Sequence, residues 1–399
     1  MAIALSSSLR TRTAEETCDH ASRLMGRLGI SRVTDITRLD KLGLPVHASV
    51  RPRGQALRVH AGKGLRTAES RAGALMEALE FSAADPRRNP AGRPMTAGDL
   101  QASWNGAFRF IDLAPRRDAP VQSDTEMPVL DCEDLANGST AALPTELLFV
   151  SDLQPAAPPA FGSNTNGVTS GNTLDEATLH GILEVLERDA LSFEQARHAS
   201  RRVEDASLPA PFLDMALQWR RRGVQLVVRE VPNAAGLPCF TAHLVERDSP
   251  DVNLCAGTGL HLHRDIALAR AVCEAAQSRL TTLHGGRDDI VGFYSKYQLP
   301  DPAQRRRDEE SLVTALQDDS HAIRFADAPD MRTEGRSLPE TLASLLAHLR
   351  QLGLGSVLRY RFHCELDGLH ALRIVIPRTE CATVDSHRMG PRLLAALAP

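Results

Sequence analysis

Lysine is scarce in this chain. Only Lys41, Lys63 and Lys296 occur, and arginine carries the rest of the positive charge. With 46 Lys and Arg against 50 Asp and Glu, the formal net charge is −4, and the two signs are well mixed. That distribution excludes the basic stripe expected of a nucleic-acid-binding surface. No apolar run approaches the ~18 residues that a membrane span requires. The first eight residues are mildly apolar but too short and uncharged for a signal peptide. The seven cysteines are scattered, odd in number and form no CxxC pair, which disfavours a disulfide framework or a zinc site. The expectation is a cytoplasmic protein with reduced thiols. No GxxxxGK[ST] occurs, so the chain is not a P-loop NTPase, and the GTGLHL at 257–262 is not a GxGxxG fingerprint.

What is present suffices for a packed core: 399 residues, 42% of them hydrophobic. The pattern predicts helices over 10–30, 67–81, 265–284 and 339–352, and a long one after residue 172. It predicts strands within 32–58 and over 224–231, 239–245, 358–362 and 371–377. Residues 85–93, 154–160 and 317–337 read as loop or linker. The mixture argues for an α+β (mixed α/β) fold.

One pattern recurs three times: an acid, two apolar residues, then a second acid or amide. It appears as Glu77 and Glu80 in MEALE, as Glu184 and Glu187 in LEVLERDA, and as Glu274 and Gln277 in CEAAQSRL. Positions i and i+3 share a helix face. Paired carboxylates on a partly buried face repel one another and lose solvation, unless a cation sits between them. Magnesium takes oxygen ligands, commonly one or two carboxylates plus nucleotide phosphates. The plainer reading is that each acidic pair lies at a helix edge and pairs with arginine. Two copies follow Gly/Asn-rich stretches, one with Asn164, Asn166, Gly167, Gly171 and Asn172, the other with Gly257 and Gly259. Such stretches let backbone approach a ligand. Lys63, between Gly62 and Gly64, can reach a phosphate as a point charge; an ordinary exposed turn is the alternative.

Together GKG at 62–64, MEALE at 76–80, NGVTSGNTLDEATLHGILEVLERDA at 166–190 and ALARAVCEAAQSRLTTLHGGRDD at 267–289 resemble the YcaO superfamily. The resemblance spans roughly residues 55–300, between an N-terminal segment, 1–54, and a C-terminal part, 301–399. It implies a YcaO-type ATP-binding fold with acidic helices on β-sheet. It implies ATP and Mg2+ as cofactors, O-phosphorylation of a peptide backbone amide, and attack on the amide carbon by a side chain or by external sulfide. Carried over, it makes Lys63, Asn172, Glu176, Arg188, Gln277 and Arg287 nucleotide contacts, and Glu77, Glu80, Glu184, Glu187 and Glu274 metal or phosphate-network residues. Glu184, Glu187 and Arg188 take the catalytic roles. Arg188 and Arg287 can neutralise phosphate bidentately; pairing with Asp189 and Asp288 is their alternative.

The family often has a serine four residues before the first glutamate. Here Gly73 stands there, with Ser70 one turn earlier. Azoline-forming members often end in PxPxP; the LAALAP here lacks it. Arg373 to Pro377, Glu380 and HRMGPR at 387–392 resemble the members encoded beside TfuA-like proteins. That subgroup implies a TfuA-like partner and thioamidation of a ribosomally made precursor peptide, ahead of azoline formation. No peptide-clamping winged helix is evident, so a partner would recognise the leader peptide. A homodimer is also compatible. Cys255 and Cys273 read as core residues rather than sulfur carriers, and His180, His261, His263 and His284 are candidate bases. A kinase-like ligase has no supporting motif. A non-catalytic peptide-binding protein is opposed by retention of all five glutamates.

Overall fold

The computed structural model describes residues 3–5, 8–119, 121–151, 159–246, 254–287, 302–333, 335–364, 366–382 and 387–398. In chain order come strands β1 (Ile3–Leu5) and β2 (Ser8–Arg10), helices α1 (Ala14–Arg23) and α2 (Met25–Leu28), strands β3 (Arg32–Asp35), β4 (Val46–Val50) and β5 (Val59–Lys63), and helix α3 (Thr67–Ala83). Then follow β6 (Arg93–Thr96), α4 (Ala97–Ser103), β7 (Glu126–Asp134), β8 (Thr140–Pro144), β9 (Val168–Gly171) and α5 (Leu174–Arg197). The chain continues through β10 (Arg201–Arg202), α6 (Ala210–Arg221), β11 (Gln225–Glu230), β12 (Cys239–Val245), β13 (Leu254–Leu260) and α7 (Arg264–His284). It closes with α8 (Pro302–Gln317), α9 (Leu338–Gln351), β14 (Leu358–Arg361), β15 (His370–Val375) and α10 (Pro391–Leu397).

Among the described residues the strands form four antiparallel sheets: β1-β2, β3-β4-β5, β10-β11-β12-β13, and a six-stranded sheet ordered β6-β7-β14-β15-β9 with β8 beside β7. The fold is mixed α and β, as the alternating patterns predicted. Helix α3 packs on β4 and β5 and also touches β9 and β15. Helix α5 packs on β9, β15 and β13, and α7 on β12 and β13. Ala177, Ile182, Leu183 and Leu186 of α5 are all buried, on more than one side of the helix. A helix enclosed by sheets on several sides needs no polar outer face. Thr173 caps α5, its hydroxyl accepting the Glu176 amide at 3.2 Å, and Gly285 at φ +63° ends α7.

The Gly-rich stretch at 254–263 contains strand β13. Helices α4, α6 and α8 and strands β1, β2 and β6 to β9 have no counterpart among the expected elements. Helix α8 carries a run of arginine and acid and few apolar residues, so its sequence shows little periodicity. The Pro/Ala-rich stretch 154–160 falls mostly outside the described residues.

Near the end of the chain, Glu380 is fully buried and binds the start of α10: its carboxylate accepts the Gly390 amide at 2.6 Å and the Leu393 amide at 3.0 Å. Asp189 on α5 accepts the Glu380 amide at 2.8 Å and the Arg392 guanidinium at 2.7 Å. Ser192 accepts the Ala382 amide at 2.9 Å. Residues 380–382 and the start of α10 are thereby fastened to the second half of α5.

Candidate functional site

Three strand–helix pairs build the site: β5 with α3, β9 with α5, and β13 with α7. In each pair a strand glycine lies against helix backbone. A Cβ on Gly171 would stand 2.6 Å from the Ala177 nitrogen, and one on Gly62 or Gly257 would collide with the Ala74 or Ala275 nitrogen. These glycines therefore draw each helix onto its strand. At 171, 257 and 259 the space that a Cβ would fill is taken by the helix, so the close approach these glycines allow is of helix to strand.

So drawn together, the acidic faces of α3, α5 and α7 line one cavity of about 260 Å³. Lys63, Glu77, Glu80, Glu184, Glu187, Arg188, Glu274 and Gln277 all reach its wall. Glu77 accepts the Ala61 amide at 2.9 Å, while Gln277 donates to the Ala61 carbonyl at 2.9 Å. Both backbone groups of Ala61 on β5 are thus held, one by each of two helices. Glu80 accepts from the Ser170 hydroxyl at 2.6 Å. Glu187 is 1% exposed and its oxygens are taken: Thr258 donates at 2.9 Å, the Leu260 amide at 2.9 Å, and the guanidiniums of Arg270 and Arg188 lie at 3.6 and 3.8 Å. Lys63 pairs with Glu274.

The acids split into two classes. Glu187 and Glu274 have cationic partners, as the plainer reading of the motif requires. Burial would raise the Glu274 carboxyl, but Lys63 and then Arg188 hold it at about 2. Glu77, Glu80 and Glu184 have no ion-pair partner within 4 Å among the described residues. Burial raises all three: Glu77 upward, Glu80 to about 8 with Glu184 and Glu77 adding repulsion, and Glu184 to about 7 with Glu187 adding to it. Arg188 loses solvation but is raised on balance by Glu187, Glu274 and Glu184. The cavity holds more carboxylate than its own cations neutralise. An all-oxygen donor set of this kind suits a hard dication. Among the described residues no three such side chains converge as a ready cage. The arrangement fits an ion that completes its shell with water and phosphate.

Two further cavities adjoin the first and share Lys63 with it. A small one of about 80 Å³ is lined by Asn172 and Glu176 beside Gly73 and Met76. Glu176 is 1% exposed and accepts from Arg10 at 3.0 Å, from the Thr11 amide and hydroxyl at 2.8 Å, and from the Asn172 amide and side chain at 3.0 Å. An open one of about 560 Å³ is lined by Arg287 with Glu77, Arg188, Glu274 and Gln277. All the predicted site residues thus line three adjoining spaces. Arg188 does not pair with Asp189, which binds Arg392 instead. Asp288, the alternative partner of Arg287, lies outside the described residues.

Ser70 does not stand in for the serine absent at Gly73. It is buried against His47, 2.8 Å from the imidazole Nδ1. Cys255 and Cys273 are buried core residues. Of the histidines, His180 alone is among the residues lining the first cavity; burial, then Arg10 and Arg270, hold it neutral. His261 is buried and His263 bonds Thr333 at 2.7 Å. The sequence reading missed Arg10, Ser170, Thr258 and Arg270. Arg270 was findable, one helical turn before Glu274. The others come from strands and carry no local signal.

The family described as YcaO cyclodehydratase, ATP- and Mg2+-binding, matches residues 61–380. An uncharacterised protein of Methanothermobacter thermautotrophicus is 30% identical over 390 residues, covering 94% of this chain and 95% of its own. An uncharacterised protein in the tfuA 3′ region of Rhizobium leguminosarum bv. trifolii is 28% identical over 363 residues, covering 88% of this chain and 84% of its own. The structure of YcaO from Methanopyrus kandleri, bound with AMPPCP and Mg2+, superposes with a TM-score of 0.75 at 21% identity, covering 96% of each chain. A heterocyclase in complex with substrate and cofactor superposes with a TM-score of 0.71 at 19% identity, covering 94% of this chain and 54% of the heterocyclase.

Proposed function

The chain belongs to the YcaO family, and on that footing we propose that it uses ATP and Mg2+ to activate a backbone amide of a ribosomally made peptide, for thioamidation with a TfuA-like partner. The observation that carries the reading is the surplus of carboxylate in the central cavity. Glu77, Glu80 and Glu184 face one space without an ion-pair partner among the described residues, beside Lys63, Arg188 and Gln277. In this reading Glu77, Glu80 and Glu184, with Glu274, hold Mg2+. Lys63 and Arg188 meet phosphate oxygens, Lys63 as a point charge and Arg188 through two N–H groups. Asn172 and Glu176, on the small adjoining cavity, and Arg287 and Gln277, on the open one, would be further contacts to the nucleotide. When bound, ATP supplies the phosphoryl group and Mg2+ neutralises its charge. The residues supply position and charge, which is most of what phosphoryl transfer asks of a protein. Glu187 acts by holding: fastened to β13 through Thr258 and Leu260, it fixes Arg188 and Arg270 at the cavity wall.

The preference for sulfide as nucleophile is supported by the residues at 373–377, 380 and 387–392 and by the relative in a tfuA 3′ region. Azoline formation is the second reading, supported by the family's description and by the likeness to a heterocyclase.

The test is the mass of a candidate precursor peptide after incubation with the protein, a TfuA-like partner, Mg2+, ATP and sulfide. Replacement of one oxygen by sulfur at a site supports thioamidation. Loss of one water per site without sulfide would move the second reading ahead. No mass change and no ATP hydrolysis, with Glu184→Gln equal to the parent, would leave a non-catalytic binding protein.

A further inference from the structure

His180 stands on the wall of the central cavity, and the proposed reaction leaves it without a task. It lies on α5 one turn before Glu184, so the two share a helix face. The residue is half-buried, and its imidazole makes no hydrogen bond or ion pair among the described residues. Burial first, then Arg10, Arg270, His261 and Lys63, keep it neutral. A polar side chain on a cavity wall with no protein partner is available to whatever fills the cavity. The other side chains there that accept a proton readily are the five glutamates. In the proposed reaction Glu77, Glu80, Glu184 and Glu274 hold Mg2+. Glu187 is taken up by Thr258, the Leu260 amide and two guanidiniums. A carboxylate held by cations is a poor base. A neutral imidazole is a good one. Nucleotide phosphates arriving among Arg10, Arg270 and Lys63 would offset the cations that act on His180, and so strengthen it as a base once ATP is in place.

We propose that His180 is the base that takes the proton of the attacking hydrosulfide, an inference that rests on the thioamidation reading. Once the amide oxygen carries the phosphoryl group, sulfur bonds to the amide carbon. The C–O bond then breaks, and its electron pair leaves with phosphate. The S–H bond breaks as well: its pair closes the C=S bond, and the proton passes to the imidazole. The imidazole gives that proton to the departing phosphate and is neutral again. In sum, amide, ATP and hydrosulfide give thioamide, ADP and hydrogen phosphate, with no oxidant or reductant. The plainer alternative is that His180 donates to a phosphate oxygen and only helps to hold the nucleotide.

The test compares the whole protein with His180→Ala and His180→Gln, by peptide modification and by calorimetric binding of AMPPCP with Mg2+. Both variants should lose about 100-fold or more in kcat for modification. Their affinity for AMPPCP should stay within about twofold of the parent's, because a base that acts on the nucleophile adds nothing to ground-state nucleotide binding. Imidazole added to His180→Ala should restore about tenfold of the loss, and should do nothing for His180→Gln, whose side chain fills the space. Should His180→Ala fail to fold, the split between kcat and nucleotide affinity in His180→Gln decides. Parent-like kcat in His180→Gln overturns the base. So does a fall in AMPPCP affinity as large as the fall in kcat, which assigns His180 to the nucleotide, and so does a folded His180→Ala that imidazole does not rescue. A parent that neither modifies peptide nor hydrolyses ATP sinks the thioamidation reading and the base with it. A parent that does modify peptide, with variants equal to it, sinks the base alone.

Discussion

Lys63 on β5 and Glu274 on α7 form an ion pair across the central cavity, tying the strand of the first strand–helix pair to the helix of the third. Without nucleotide each is the other's main counter-charge. In the proposed reaction a phosphate arriving at Lys63 would release Glu274, and a dication arriving at Glu274 would release Lys63. Lys63→Met should therefore raise the KM for ATP about 10- to 100-fold, the loss of one charge-assisted contact. It should also let the Glu274 carboxyl rise from about 2. Steady-state ATPase assays and carboxyl NMR titration check the two halves; an unchanged KM would remove Lys63 from the phosphate site.

The unpaired acids set a pH dependence. Glu80 at about 8 and Glu184 at about 7 bind more protons folded than unfolded, where the ordinary value is 4.5. Their contribution to stability is full below the unfolded value and is lost as pH rises through the folded one. Without Mg2+, the melting temperature should fall between pH 5 and pH 8 more steeply than in Glu80→Gln. Magnesium should restore it most at the alkaline end, because deprotonated carboxylates bind it best. Thermal melts across pH, with and without Mg2+, decide this. Parallel slopes for the two proteins would contradict it.

Gly62 and Gly73 face each other where α3 crosses β5. A Cβ on Gly73 would come 3.2 Å from the Gly62 Cα, whereas a Cβ on Gly62 would run into α3 backbone. Gly62→Ala should destabilise by at least ~2 kcal/mol and Gly73→Ala by less than ~1.5 kcal/mol. Urea unfolding of both variants tests the order. Gly73→Ser should return no metal affinity unless the helix shifts outward.

Arg10 serves Glu176 from the N-terminal side. The carboxylate is 1% exposed and the arginine 22%. Removing one partner of a buried pair leaves the other uncompensated, so Arg10→Met should destabilise by ~3 kcal/mol at pH 7. Burial would raise Glu176, but Arg10 and the Asn172 and Thr11 amides lower it on balance. The advantage of the parent over the variant should hold above the ordinary carboxyl value and shrink as pH falls through the lowered one. Denaturation at pH 7 and pH 3.5 measures it; a constant difference would place the effect in packing rather than charge.

The acidic helices were legible because their signal is local. An acid, two apolar residues and another acid declare both a helical face and its chemistry, and 67–83, 174–197 and 264–284 are helices close to the expected bounds. The glycines misled because a strand glycine making room for a helix and a loop glycine making room for a phosphate look alike in sequence. Which acids would be paired was not legible. Glu187 and Glu80 occupy equivalent places in their motifs, yet Thr258, Leu260 and Arg270 surround one and Ser170 alone meets the other. Those neighbours come from other strands and helices, fixed only by tertiary packing. Arg10, over 160 residues from Glu176, could not be found by any spacing rule.

The clamp of Glu380 and Asp189 on α10 has a mechanical meaning. Helix α5 passes from that clamp to Arg188, Glu187 and Glu184 within two turns. A protein gripping residues 387–393 would hold a lever whose short arm ends at the cavity wall. It could brace or tilt these side chains from outside, without occupying any space that nucleotide or peptide needs.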